Sequence, residues 1–150
     1  ALNTPSKSIE EDTKMQNEIL KKYPNDERDI IFIGDSVLHM TKEDLKKKYP
    51  KAIIETKVGR QFYQLPNTLK GHDVYFINTV MPDPWQDSVN AEIKKAGENP
   101  NIKVIDWYSY SKGKQEYFYK DGTHPKPNAA KRYINLIYSV LSKDILNQTK

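Results

Sequence analysis

Two short stretches carry residue types that can do nucleophilic chemistry. The first, Gly34-Asp35-Ser36-Val37, puts a glycine at a tight turn and a serine just beyond it. A serine so placed can project its hydroxyl out of a sheet, close to backbone N–H groups able to hold an oxyanion. The second, Asp121-Gly122-Thr123-His124-Pro125, spaces a carboxylate and an imidazole three residues apart, with a glycine between them that permits a turn. A serine hydroxyl becomes a useful nucleophile when a base takes its proton, and a histidine base needs a carboxylate to fix its tautomer and steady the imidazolium. Each stretch also has a plainer reading. Ser36 can be a helix cap, Asp121 a turn former, and His124 a surface residue ahead of a helix opened by proline. Taken together, in the order Ser then Asp-x-x-His, the two stretches favour the catalytic reading.

The elements around them follow from apolar patterning. Ile30-Ile31-Phe32-Ile33, Val74-Tyr75-Phe76-Ile77 and Ile102-Lys103-Val104-Ile105 are short, largely apolar runs. Continuous apolarity argues for strands buried on both faces, hence a parallel sheet covered by helices. Ala52-Ile53-Ile54-Glu55-Thr56 alternates in part and suits an edge strand. Helical segments are predicted over 43–48 and 86–96, and a closing amphipathic helix is marked by Ala130, Tyr133, Ile134, Ile137, Val140, Leu141 and Ile145. Residues 1–8 are polar and read as the end of a linker. Ser8 and Glu11 then form a capping box opening a helix that stops by Pro24. The predicted division is therefore 1–28, linker and N-terminal helix, and 29–150, an α/β catalytic domain. In such a sheet ligands bind at the carboxyl ends of the strands, where both reactive stretches fall.

With 150 residues, 37% hydrophobic and 29% charged, the chain suits one core. The absence of cysteine excludes disulfides, thiolate zinc sites and a thiol nucleophile. His39, His72 and His124 have no metal-ligand spacing, so no metal is expected. The net charge is +4, with lysines scattered among acids and no basic stripe interleaved with aromatics, which argues against a nucleic-acid partner. No apolar run approaches the roughly 20 residues of a membrane span. Trp85, in a Pro-Asp-Pro-Trp turn, and Tyr117, in Tyr117-Phe118-Tyr119, are candidates for a sugar platform or, equally, for packing under a loop.

Ile33-Gly34-Asp35-Ser36-Val37 and Asp121-Gly122-Thr123-His124 resemble the first and last blocks of the SGNH (GDSL) hydrolases, and Lys57-Val58-Gly59-Arg60-Gln61 resembles the second. The segments 74–85 and 104–108 resemble one branch, the extracytoplasmic C-terminal domain of bacterial peptidoglycan O-acetyltransferases. The resemblance implies a three-layer, flavodoxin-like fold with a mostly parallel sheet. It implies that Ser36 is acetylated and passes the acetyl group to the muramic acid C6 hydroxyl, with His124 as base, Asp121 orienting it, and an oxyanion hole from the Ser36 and Gly59 N–H groups. It further implies peptidoglycan strands as acceptor, a donor supplied by an upstream membrane acyltransferase domain, no cofactor, and a monomer held at the outer membrane face or wall of a Gram-positive cell. The alternatives are an O-acetylesterase with the same triad and a non-catalytic wall-binding relic.

One block departs from the pattern. The family's third, a strand ending in Gly-x-Asn whose asparagine completes the oxyanion hole, has no counterpart between Gln61 and Asp73. Asn78 is a weak substitute because it belongs to the next block. Either the chain is shortened, with Ile30–Ile33 and Val74–Val80 paired directly, or residues are left out of this sequence and a break follows Gln61. The break is the expectation, since Pro66 suits a crossover helix poorly.

Overall fold

Every ladder in the sheet is parallel, and the reason lies in the strands themselves. The computed structural model describes residues 9–22, 26–56, 71–81 and 85–148. Its four strands are β1 (Ile30–Ile33), β2 (Ile53–Glu55), β3 (Asp73–Ile77) and β4 (Ile102–Ile105), in the order β2-β1-β3-β4. The helices are α1 (Ile9–Lys22), α2 (Ser36–Met40), α3 (Lys42–Lys48), α4 (Trp85–Ala96), α5 (Trp107–Ser111) and α6 (Pro127–Gln148). Ile30, Phe32, Tyr75 and Ile77 face a large core with α2, α3 and α6; Ile31, Ile33, Val74 and Phe76 face a smaller one with Ile93 and Val89 of α4. Because successive strand side chains point to opposite faces, apolar residues at every position of β1 require helices on both sides, giving three layers.

β2 is an edge strand, as anticipated from its partial alternation, and its Ile53 is about half exposed; β4, expected to be buried on both faces, is the other edge and exposes Lys103. α1, set apart with the linker in the sequence, packs along α6. Arg132 Nε lies 2.8 Å from Asp12 Oδ1, both side chains almost wholly buried, and Asn135 Nδ2 donates to the Asp12 carbonyl at 3.0 Å.

The sheet bears on the third block through its strand order. β1 and β3 are direct neighbours, in register from Ile30 opposite Asp73 to Ile33 opposite Phe76. This is the arrangement expected of a shortened chain; the place of the expected break falls mostly within 57–70. Paired backbone groups leave no buried gap, which would cost a few kcal/mol for each orphaned group. The connection over 57–70 lies outside the described residues.

Candidate active site

Ser36 is the first residue of α2 and is exposed at the carboxyl end of β1. Asp35 is the N-cap, and its Oδ1 accepts from the Val37 N–H at 2.9 Å. Gly34 is needed for packing, because a Cβ there would stand 2.9 Å from two Leu38 side-chain atoms. The second Asp35 oxygen accepts a short hydrogen bond from the Thr79 hydroxyl. Thr79 is fixed in turn by Asn90, which accepts from the Thr79 N–H at 2.9 Å and donates to its carbonyl at 2.8 Å. Three links thus tie the serine's turn to the end of β3 and to α4. Thr79 and Asn90 carry no motif of their own, and only the strand-end position of Thr79 marks it in the sequence.

Asp121 and His124 are in direct contact. Asp121 Oδ1 accepts from the Thr123 and His124 N–H groups at 2.9 and 3.0 Å, and Oδ2 lies 2.6 Å from His124 Nδ1. An ionised carboxylate only accepts, so Nδ1 carries the proton and Nε2 is left as the basic nitrogen. The two backbone donors and then the imidazole hold the Asp121 carboxyl at about 2, well below the usual carboxylate range. Gly122, between them, has a φ of 71°, in the left-handed region that glycine reaches without strain. The loop is closed by Tyr119 N–H donating to the His124 carbonyl at 3.0 Å and Lys126 N–H donating to the Tyr117 carbonyl at 2.7 Å.

This loop stands at the same end of the sheet as Ser36. Tyr119 and Gly122 share a cavity of about 820 Å³ with Val80, beyond β3, and Tyr108, beyond β4. His72, by contrast, immediately precedes β3 and sits at the opposite end; His39 is exposed in the last turn of α2.

Three further candidates fare differently. Tyr117 is 2% exposed and stacks on Trp107 with ring centroids 6.3 Å apart, so it packs beneath the loop and offers no sugar platform, a correction to that expectation. Its neighbour Tyr119 is the exposed aromatic, at 52%. Gly59 lies outside the described residues, as does the Trp85 side chain. Asn78 is engaged elsewhere: its Nδ2 donates to Asp106 Oδ1 and its Oδ1 accepts from the Tyr108 N–H, both at 2.8 Å. Desolvation works against ionisation of Asp106, yet the hydrogen bonds from Asn78 and Ser109 prevail and hold its carboxyl below the usual range. Asn78 therefore fastens the end of β3 to the start of α5. Among the described residues no three His, Asp or Glu side chains gather as a metal site.

A parallel sheet between two helical layers, with a serine turn after the first strand and an Asp-x-x-His loop before the last helix, is the SGNH-type α/β fold. The chain resembles a particular domain of that type. The Streptococcus pneumoniae peptidoglycan O-acetyltransferase A (OatA) C-terminal catalytic domain, solved with a methylsulfonyl adduct, matches it with a TM-score of 0.59 at 19% identity, over 78% of this chain and 94% of that one. Peptidoglycan O-acetyltransferase OatA of Listeria monocytogenes is 30% identical over 148 residues, covering 75% of this chain and 24% of its own length. The chain thus spans about a quarter of the length of the curated relatives it matches. Since those 148 residues draw on 75% of a 150-residue chain, the relative carries more residues across the match. No family model matches.

Proposed function

We propose that this chain is the catalytic domain of a peptidoglycan O-acetyltransferase, working through an acetyl-serine. The observation that carries the reading is the Asp121–His124 pair, 2.6 Å apart, at the sheet end where Ser36 is exposed; the likeness to the OatA domains supports the substrate. His124 Nε2 takes the proton of Ser36 Oγ as that oxygen attacks the donor's acetyl carbonyl, and Asp121 steadies the imidazolium. The Ser36 and Gly59 N–H groups hold the oxyanion, whose collapse expels the donor's leaving group with the proton from His124. The C6 hydroxyl of a muramic acid residue then attacks the acetyl-serine. His124 takes the hydroxyl's proton and returns one to Ser36 Oγ, leaving the acetylated glycan and free enzyme. The donor comes from an upstream membrane acyltransferase domain, and the domain works as a monomer on the outer side of the membrane, without metal or cofactor.

The test supplies an activated acetyl ester with and without a chitooligosaccharide acceptor. Acetyl-glycan formation, an acetyl mass increment on Ser36 in the trapped enzyme, and loss of both in Ser36→Ala with an unchanged melting temperature are expected. Hydrolysis alone would assign an esterase, and the absence of any Ser36 adduct with ester or sulfonyl fluoride would leave a non-catalytic module.

A further inference from the structure

Among the described residues, the cavity beside the His124 loop is lined by four lysines, Lys112, Lys114, Lys120 and Lys126, and by no aspartate or glutamate. None of the four belongs to an ion pair among the described residues. Glu116 and Asp121 fall in the same stretch of chain but do not line the cavity, so its described lining is a local concentration of one sign. Two of the ammonium groups are positioned by aromatics. Lys112 Nζ stands 5.8 Å from the Tyr108 ring centroid, and Lys114 Nζ stands 4.8 Å from that of Tyr110 while donating to the Tyr110 carbonyl at 2.6 Å. Lys120 and Lys126 flank the catalytic loop and are exposed. A neutral sugar chain, recognised through hydroxyls and ring faces, has no use for four cations, whereas a carboxylate-bearing group does.

We propose that this groove receives the carboxylate-bearing peptide arm of the acceptor glycan and so makes the enzyme select substituted strands over bare ones. The proposal rests on the acetyltransferase reading. Peptidoglycan strands carry short peptides with free carboxylates, joined to the same sugar that offers the C6 hydroxyl. With Tyr119 and Gly122 forming both the groove wall and the loop that holds His124, an acceptor hydroxyl at the site would lead its peptide arm into the groove. Lysine ammonium groups pair with carboxylates as exposed, salt-screened point charges, which fits selection among strands better than tight capture.

Binding on the Ser36→Ala protein tests this without turnover, so its outcome is separable from that of the acetyltransferase reading. The probes are a muramyl-peptide disaccharide with free carboxylates, the same compound with its carboxylates amidated, and a poly(glycerol phosphate) oligomer, each measured by calorimetry at low and at physiological salt. The free acid should bind roughly five- to tenfold more tightly than the amide, as a few exposed pairs allow. That ratio should fall towards one in Lys112→Gln/Lys120→Gln/Lys126→Gln and shrink with salt; Lys114 is kept because it packs on Tyr110. In the active protein the same triple variant should raise KM for the free-acid acceptor more than it lowers kcat. Equal affinity for acid and amide, an unaltered ratio in the triple variant, or tighter binding of the phosphate oligomer would overturn the proposal.

Discussion

Asp121 uses both carboxylate oxygens, one on the backbone of its own loop and one on the imidazole, and the two jobs come apart on substitution. In Asp121→Asn the amide oxygen can still accept from Thr123 and His124 N–H, so the loop persists and the melting temperature should change little. What is lost is the charge facing Nδ1. We expect kcat to fall by roughly 10² to 10⁴, as when a triad carboxylate is replaced and the wrong tautomer results; an unchanged kcat would reduce Asp121 to a turn former. The pH dependence has a definite sign. A carboxyl held at about 2 when folded, against roughly 4 when unfolded, favours the folded loop above about pH 4, and that contribution disappears as pH falls through about 2. An acid limb in the wild-type rate profile above pH 4 therefore does not belong to Asp121, and a limb centred near 4 would contradict the contacts described.

At the scale of elements, the end of β3 is a junction. Asn78 ties it to the start of α5, Thr79 to the serine turn, and Asn90 locks Thr79 from α4. Asn78→Ala leaves the Tyr108 N–H and Asp106 without that partner, and should cost about 1–3 kcal/mol of stability in denaturant titration. If Asn78 instead donates to the oxyanion, kcat would drop with stability intact. The junction shows what was legible in the sequence and what was not. β1 and β3 were visible because burial on both faces writes an unbroken apolar run, whereas β4, at the other edge, exposes Lys103 and was visible only from Ile102, Val104 and Ile105. The reactive pair was visible because Asp-Gly-Thr-His is a local turn whose geometry depends on four consecutive residues. Thr79 and Asn90 were invisible because their roles depend on hydrogen bonds between segments distant in the chain. Tyr117 was ambiguous for the same reason: only the placement of Trp107 beside it decides that it packs inward. α2 and α5, five residues each, are too short to display a helical period and rest on their aspartate caps, Asp35 and Asp106.

For the whole molecule, the buried Asp12–Arg132 pair decides whether α1 belongs to the folded unit. Removing one member of such a pair leaves an uncompensated charge inside, so Arg132→Met should destabilise the domain by about 3–5 kcal/mol. The further substitution Asp12→Leu should recover part of that; if the single change costs nothing in thermal unfolding, α1 is only loosely applied. The contacts also give α1 a direction. Asp12 meets Arg132 and Asn135, Gln16 accepts from Lys131, and Met15, Ile19 and Lys22 share a small cavity with Ser139, Ser142 and Lys143. From Asp12 beside Arg132 and Asn135 to Lys22 beside Lys143 the contacts advance along both helices, with the long Lys131 side chain reaching forward to Gln16, so α1 runs parallel to α6 and starts near the first turn of α6, three residues after His124. The start of α1 thus lies at the reactive end of the sheet. The first turn of α1 therefore borders the side from which a polymeric acceptor would approach Ser36 and His124 in the proposed function, so substitutions on that turn can change which polymers reach the site while the sheet and its loops stay as they are.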